Sequence, residues 1–166
     1  MRREEILGKT PAERLAVTAF AGITLALALL MPGWRADDRA PPDGYAMSPD
    51  AFVRWEDAFA ARNATGRMVQ IGPLVRPPPG DVPVLARRFA FVPALELRAG
   101  RTYRLHLSAA DGVHSAALDG REVLLVPGRV AVLAITPSRP GIMTLQCGEY
   151  CGIGHSRMTA AITVIP

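Results

Sequence analysis

Hydrophobic and polar positions form three successive patterns along the chain, and the first is an apolar run near the N-terminus. Residues 15–31 are all apolar except for small Thr and Gly residues. A helix needs about 17 to 25 such residues to span a bilayer, so this run reaches the lower limit. The pattern predicts a transmembrane helix over residues 15–34, preceded by a cytoplasmic N-terminus over residues 1–14.

The charges on either side of this run predict its orientation. Basic residues are more numerous before it (Arg2, Arg3, Lys9 and Arg14) than closely after it (Arg35 and Arg39). Because positive loops stay in the cytoplasm, the C-terminal part should lie outside. We expect a single-pass protein of the bacterial inner membrane with a periplasmic domain and Trp34 at the outer interface. A cleaved signal peptide is the alternative, although the run exceeds the usual apolar core of such a peptide.

The second pattern, over residues 35–80, predicts a linker with one short amphipathic helix. Residues 37–44 are charged and rich in proline, as linkers commonly are. Ser48 and Pro49 then provide an N-cap and a proline at the first helical position. Large side chains follow at helical spacing, at Phe52, Trp55, Glu56 and Phe59. We expect this stripe to pack against a neighbouring surface or lipid rather than to bind a cofactor.

The third pattern is a series of short strands beginning near Val82. Pro, Gly and Asp turns separate eight strand-like segments, over residues 82–91, 95–97, 101–107, 113–118, 122–126, 129–135, 142–146 and 159–164. Such spacing is typical of a β-sandwich. We therefore predict an all-β domain over residues 81–166. His106 alternates with leucines in one strand, so it should point off the apolar face and carry no chemistry.

Composition limits how many domains the chain can hold. It has 166 residues, 49% of them hydrophobic, a formal net charge of +4 and a mean hydropathy of +0.17. These values suit one domain of ordinary size and a membrane segment, without a second catalytic domain. The expected partners include the membrane, and no nucleic acid.

Candidate metal ligands are concentrated near the C-terminus. Residues 147–158 contain two thiols, an imidazole and a thioether, at Cys147, Cys151, His155 and Met158. A second imidazole, His114, lies upstream between two strand-like segments. Thiolate and thioether ligands are soft and imidazole also suits copper, so this set favours a copper redox centre over a hard cation. Glycines at 148, 152 and 154 permit the tight backbone path that such a loop needs.

Other uses of the same residues remain open at this point. Cys147 and Cys151 would form a disulfide in many exported domains, but a bridge across so short a loop adds little stability. A mononuclear blue-copper site could use Cys151, His155, Met158 and His114. A zinc site could use the two Cys and two His, but it would give Met158 no role.

The motif C-x-E-x-C-G-x-x-H-x-x-M, with D-x-x-H-S upstream, resembles the binuclear copper A signature of cytochrome c oxidase subunit II. The resemblance implies that Cys147 and Cys151 bridge two copper ions. It also implies that His114 and His155 bind one copper each. Met158 and the backbone carbonyl of Glu149 would be weak axial ligands. The Glu149 side chain would also be able to bind magnesium at the contact with subunit I.

The resemblance further implies a cupredoxin-like Greek-key β-sandwich, tethered here by one N-terminal transmembrane helix. Its expected role is the electron-accepting subunit II of a respiratory heme-copper oxidase. It would take electrons from cytochrome c and pass them to heme in subunit I, where oxygen reduction takes place. Better-known members have two transmembrane helices, so one helix indicates the branch with a short subunit II.

Two other function classes share features of this sequence. A nitric oxide reductase with a copper A subunit would carry the same motif. A membrane-tethered mononuclear cupredoxin or copper chaperone is the non-enzymatic alternative. No acidic run lies near the ligand loop, so the electron donor should dock on an apolar patch or be neutral to acidic itself. Ile153 could belong to that patch or could cover the copper from within.

Overall fold

The computed structural model describes residues 10–30 and 44–166, which fall into two compact units, Met1–Ala40 and Pro41–Pro166. In the first unit, α1 spans Pro11–Leu30. Residues 11–29 have a mean hydropathy of 1.5, so α1 is long and apolar enough to cross a membrane. Expectations for residues 1–9 and 31–43, including Trp34 and most of the proline-rich segment, lie outside the described residues.

Helix α1 begins four residues before the apolar run because a capping box precedes it. The Thr10 hydroxyl accepts a hydrogen bond from the Glu13 amide at 3.3 Å, and the Glu13 carboxylate accepts one from the Thr10 amide at 2.7 Å. These contacts satisfy amides at the helix start that have no partner within the helix. Within the helix, the Thr24 hydroxyl donates to the Phe20 carbonyl at 2.9 Å, so the helix itself satisfies this polar group.

The second unit contains two β-sheets. Five strands form one sheet, in the order β1 (Gly44–Ala46), β10 (Arg129–Ile135), β7 (Tyr103–Ala109), β4 (Gly80–Arg87) and β5 (Ala90–Val92). Seven form the other, in the order β2 (Ala64–Val69), β3 (Gly72–Val75), β6 (Ala94–Arg98), β12 (Thr159–Ile165), β11 (Gly141–Gln146), β8 (His114–Leu118) and β9 (Arg121–Leu125). The predicted all-β sandwich is confirmed.

The hydrophobic core fills the space between these sheets. Alternate residues of most strands point inward, as the two-residue period of a strand requires, and they include Leu97, Leu105, Leu107, Leu145 and Ile162. Strand β4 pairs in parallel with β7, and β6 pairs in parallel with β12. Strands that pair in parallel need a crossover connection, and the connection from β4 to β7 passes through β6 of the other sheet. Cys147 and Met158, two of the candidate ligands, belong to this core, so its packing fixes the strand ends next to them.

Helix α2, over Pro49–Asn63, covers the outer face of the five-stranded sheet. Its N-cap is Ser48, as predicted, and the Ser48 hydroxyl accepts a hydrogen bond from the Ala51 amide at 3.4 Å. Phe52 is fully buried against Leu85 and Val130 of that sheet. The expected packing role of the aromatic stripe is therefore confirmed.

Two features of this unit differ from the sequence-based expectations. Much of the predicted linker over residues 35–80 lies inside the compact unit, because β1, α2, β2 and β3 pair or pack with the sandwich. These pairings join distant segments, so local patterns do not reveal them. The predicted strand 82–91 is also divided into β4 and β5. Asp111, from another loop, accepts a hydrogen bond from the Arg88 amide at 2.9 Å at the turn between them.

Candidate metal centre

Three neighbouring strands of the seven-stranded sheet bring the candidate ligands to one end of the sandwich. His114 is the first residue of β8, and Cys147 directly follows β11. Met158 directly precedes β12, after a 3₁₀ turn over His155–Arg157. The Cys147 amide donates to the Met158 carbonyl at 3.0 Å and so extends the antiparallel pairing of β11 with β12. The ligand loop is therefore anchored at both ends by the sheet.

The first group of candidate ligands surrounds Cys147. Its sulfur lies 3.9 Å from His114 Nδ1 and 3.2 Å from the Glu149 carbonyl oxygen. The ligand atoms of His114, Cys147 and Cys151 all lie within 4.8 Å of one another. His114 and Cys147 are fully buried.

The second group of ligands surrounds Cys151. Its sulfur lies 3.7 Å from His155 Nδ1 and 3.5 Å from the Met158 sulfur. Two ligands that share a metal at bond lengths of about 2.0 to 2.3 Å are themselves separated by roughly 3.3 to 4 Å. The contacts around both cysteines fall close to that range. Met158 is buried, whereas Cys151 and His155 are partly exposed.

The two thiols are free rather than joined in a disulfide. Burial and then the neighbouring Cys147 raise the pKa of the Cys151 thiol. A bound cation has the opposite effect on a thiol and favours the thiolate. The chemistry of this donor set therefore fits a soft metal ion.

Asp111 fixes the orientation of the His114 ring. Its carboxylate lies 2.9 Å from His114 Nε2, which leaves Nδ1 facing Cys147. Burial by itself would raise the pKa of Asp111, but hydrogen bonds from the Arg88 amide and His114 outweigh it and lower this pKa. A carboxylate on the second ring nitrogen is the usual way in which a protein orients a metal-binding histidine.

Phe89 packs against the ligand loop, a contact that the sequence did not indicate. A side chain at Gly154 would overlap the Phe89 ring, and one at Gly152 would lie 3.2 Å from it. Gly152 also has a φ of +130°, which L side chains rarely adopt. Gly154 is therefore needed for the close approach of Phe89, and Gly152 for its backbone conformation. A single phenylalanine in a strand pattern carries no local signal for this contact.

The tip of the loop faces solvent. The Glu149 side chain is exposed, Tyr150 is 74% exposed and Ile153 is 98% exposed. Ile153 therefore does not cover the ligands from within, which leaves the surface role that the sequence also allowed.

His106 lies away from this cluster. It points off the apolar face of β7, as expected, and its ring contacts the Tyr45 hydroxyl at 2.9 Å and the Asp81 carboxylate at 2.7 Å. Both ring nitrogens are thus in use elsewhere. The cluster itself brings together all six predicted positions, and Glu149 approaches it through its backbone carbonyl.

Comparisons with known proteins identify relatives of this domain. Residues 90–165 match the family model described as cytochrome c oxidase subunit II, periplasmic domain. Two curated proteins named cytochrome c oxidase subunit 2, both from Thermus thermophilus, are 33% identical to it over 84 residues, or 49% of this chain. The chain spans only 62% and 50% of the length of these two relatives.

A solved structure supports the fold. The copper protein rusticyanin is 15% identical and superposes with a TM-score of 0.51, covering 75% of this chain and 99% of that chain. At this identity the likeness concerns the fold alone. The predicted cupredoxin-like sandwich is confirmed.

Proposed function

Because residues 90–165 match the periplasmic-domain family of cytochrome c oxidase subunit II, we propose that this chain is the electron-accepting subunit of a bacterial respiratory heme-copper oxidase. In this role the chain accepts electrons from cytochrome c and delivers them to heme in subunit I, which reduces oxygen. The observation that carries the proposal is the convergence of two free thiols, two imidazoles and a thioether at one end of the sandwich.

The proposed cofactor is a binuclear copper A centre that supplies one-electron redox chemistry. The thiolates of Cys147 and Cys151 would hold both copper ions. The imidazoles of His114 and His155 would add one ligand each, and the Met158 sulfur and the Glu149 carbonyl would be weak ligands. The contacts of these four groups with the two cysteine sulfurs support this ligand set.

The chain contributes a rigid setting for these ligands. His114, Cys147 and Met158 are at most 1% exposed, and all three lie at strand ends fixed by the sheet. Side chains that are packed in this way need little rearrangement when the charge of the site changes. The buried surroundings also exclude water from most of the ligand set.

The proposed location is the periplasmic side of the inner membrane. Helix α1 has the length and composition of a membrane anchor, and basic residues are more frequent before the apolar run than after it. This orientation places the copper domain where soluble or membrane-bound cytochromes c can reach it. The exposed Glu149 carboxylate is available to bind magnesium at the contact with subunit I.

One alternative ligand arrangement has a specific observation in its favour. Cys151, His155 and Met158 lie together and could bind a single copper with His114, which is a blue-copper ligand set. Cys147 would then have no ligand role. The free, fully buried thiol of Cys147 beside His114 favours the binuclear arrangement instead.

Purification of the full chain from detergent-solubilised membranes tests the proposed function. We expect a heme-bearing, multi-helix subunit to copurify, two copper ions to bind per chain, and the complex to consume oxygen with reduced cytochrome c. Reduction of nitric oxide without oxygen consumption would assign the chain to a nitric oxide reductase. Purification of the chain alone with a single copper would favour the tethered cupredoxin.

A further inference from the structure

Gly148 is the residue after the first cysteine of the ligand loop. It is held by Ser115 and Glu122, which form a hydrogen-bonded pair on the outer face of the sheet. Its amide donates to the Ser115 hydroxyl at 2.7 Å. That hydroxyl donates in turn to the Glu122 carboxylate at 2.6 Å. None of the contacts proposed around the copper ligands uses Glu122.

Strand register explains how Glu122 reaches this position. In the β8–β9 pair, Ser115 lies opposite Leu124 and Ala117 lies opposite Glu122. Ser115 and Glu122 are therefore diagonal neighbours on the same face, within reach of a long side chain. Ser115 is 2% exposed and immediately follows His114. Through Ser115, Glu122 is therefore linked both to the strand that carries His114 and to the loop that carries Cys147.

The carboxylate determines which way the serine hydroxyl points. A hydroxyl has one proton to donate, and an O–H to carboxylate distance of 2.6 Å is typical of a short, charge-assisted hydrogen bond. With its proton committed to Glu122, the Ser115 oxygen presents a lone pair to the Gly148 amide. Polarisation along such a chain strengthens both hydrogen bonds.

Glycine at position 148 leaves room for the Glu122 carboxylate. A Cβ there would overlap the Glu122 carboxylate and lie 3.1 Å from the Ser115 oxygen. The carboxylate thus lies directly against the loop backbone. Gly148 lies between the Cys147 thiol and the Glu149 carbonyl, which are 3.2 Å apart. Displacement of Gly148 would move both groups.

We infer that Glu122 is a positioning residue of the metal centre, which acts through Ser115 to hold the Gly148 backbone and thereby the Cys147 thiol and Glu149 carbonyl. The inference rests on the proposed function only in assigning those two groups to a copper centre. The contact itself belongs to the metal-free chain and can be measured there.

The first test measures amide hydrogen exchange at Gly148 in the metal-free full chain in detergent. Loss of a hydrogen bond of this kind should speed exchange about tenfold in both Glu122→Ala and Ser115→Ala. Glu122→Gln retains an acceptor oxygen and should exchange much as the wild type does. Leu124→Ala is the matched control, because Leu124 is on the same strand and face but forms no hydrogen bond with the loop. It should leave Gly148 exchange unchanged.

The second test loads the same variants with copper. Glu122→Ala should keep both copper ions but change the absorption and electron paramagnetic resonance spectra, and Glu122→Gln should restore them. Unchanged exchange and spectra in Glu122→Ala, or equal effects of Leu124→Ala, would overturn the inference. If the wild type itself binds no copper pair, the proposed function fails, whereas the metal-free exchange result still shows whether Glu122 positions the loop.

Discussion

At the scale of single residues, the two cysteines of the ligand loop have different surroundings. Cys147 is buried beside His114, whereas Cys151 is partly exposed beside His155 and Met158. A bridging role requires both thiols, but a mononuclear site requires only Cys151. Substitutions at these positions therefore separate the two arrangements.

Cys147→Ser should abolish the binuclear copper spectrum and lower the copper content below two ions per chain. The reason is that a hydroxyl is a harder and far less acidic ligand than a thiol, and it cannot replace a bridging thiolate. Copper analysis and electron paramagnetic resonance of the full chain would measure both effects. An unchanged spectrum and stoichiometry would instead support the mononuclear site.

Met158→Leu should retain copper and shift the reduction potential. Axial thioether ligands adjust copper potentials, while thiolates and imidazoles provide most of the binding. Leucine has a similar volume and suits the buried position, so the fold should tolerate it. By contrast, His155→Ala should lose or remodel the site. Copper titration and potentiometry distinguish these outcomes, and complete loss of copper in Met158→Leu would contradict the prediction.

At the scale of elements, helix α2 carries an acid on its buried side. Glu56 is 6% exposed, and burial, followed by the charge of Asp57, raises its pKa to about 7 despite the opposing effect of Arg87. The folded state thus keeps a proton at pH values at which the unfolded chain has lost it. Stability should therefore fall as pH rises from the ordinary value of 4.5 to about 7.

Glu56→Gln should remove this pH dependence. Since the amide stays neutral, the variant should exceed the wild type by roughly 1 to 3 kcal/mol in free energy of unfolding at about pH 8, and by little at about pH 4.5. Denaturant unfolding of the full chain in detergent, followed by tryptophan fluorescence, would measure the difference at both pH values. The same stability difference at both would show that Glu56 keeps its charge in the folded state.

At the scale of the whole molecule, the net charge of residues 35–166 and the exposed side chains near the ligand loop determine how an electron donor can approach. Residues 35–166 contain fifteen Arg and twelve Asp or Glu, a net charge of 15 − 12 = +3 with His neutral. A basic cytochrome c would gain little long-range attraction from such a domain. Exposed apolar side chains instead surround the ligand loop, at Ile153, Tyr150, Val113 and Phe89.

Reduction of the copper centre by cytochrome c should therefore depend on this apolar patch and only weakly on salt. Ile153→Ser should slow reduction several-fold, because its 98% exposed side chain would lose contact with the donor. Ile142→Ser is the matched control, an isoleucine 64% exposed on β11 outside the loop. Stopped-flow rates against ionic strength, with a basic and an acidic cytochrome c, would measure both effects. A fast reaction with the basic protein that collapses at physiological salt would reveal an acidic docking face instead.

Much of the molecule could be predicted from local sequence patterns. Short segments separated by Pro, Gly and Asp turns from Val82 onward predicted the strands of the sandwich, and Ser48 and Pro49 predicted the start of α2. The ligand types of residues 147–158 were likewise readable, because four donors lie within one loop. A strand or helix period, like a short spacing between ligands, depends only on residues that are close in sequence. One segment is therefore enough to predict it.

Tertiary structure alone decided the contacts between distant segments. It placed β1, β2 and β3 in the sheets, set Phe89 against the loop glycines, and connected Glu122 through Ser115 to Gly148. It also exposed Ile153, for which the sequence allowed either of two roles. Each of these outcomes depends on which strands pair and in which register. A strand pattern specifies that one face will be buried, but the identity of its partner is set by packing across the whole core.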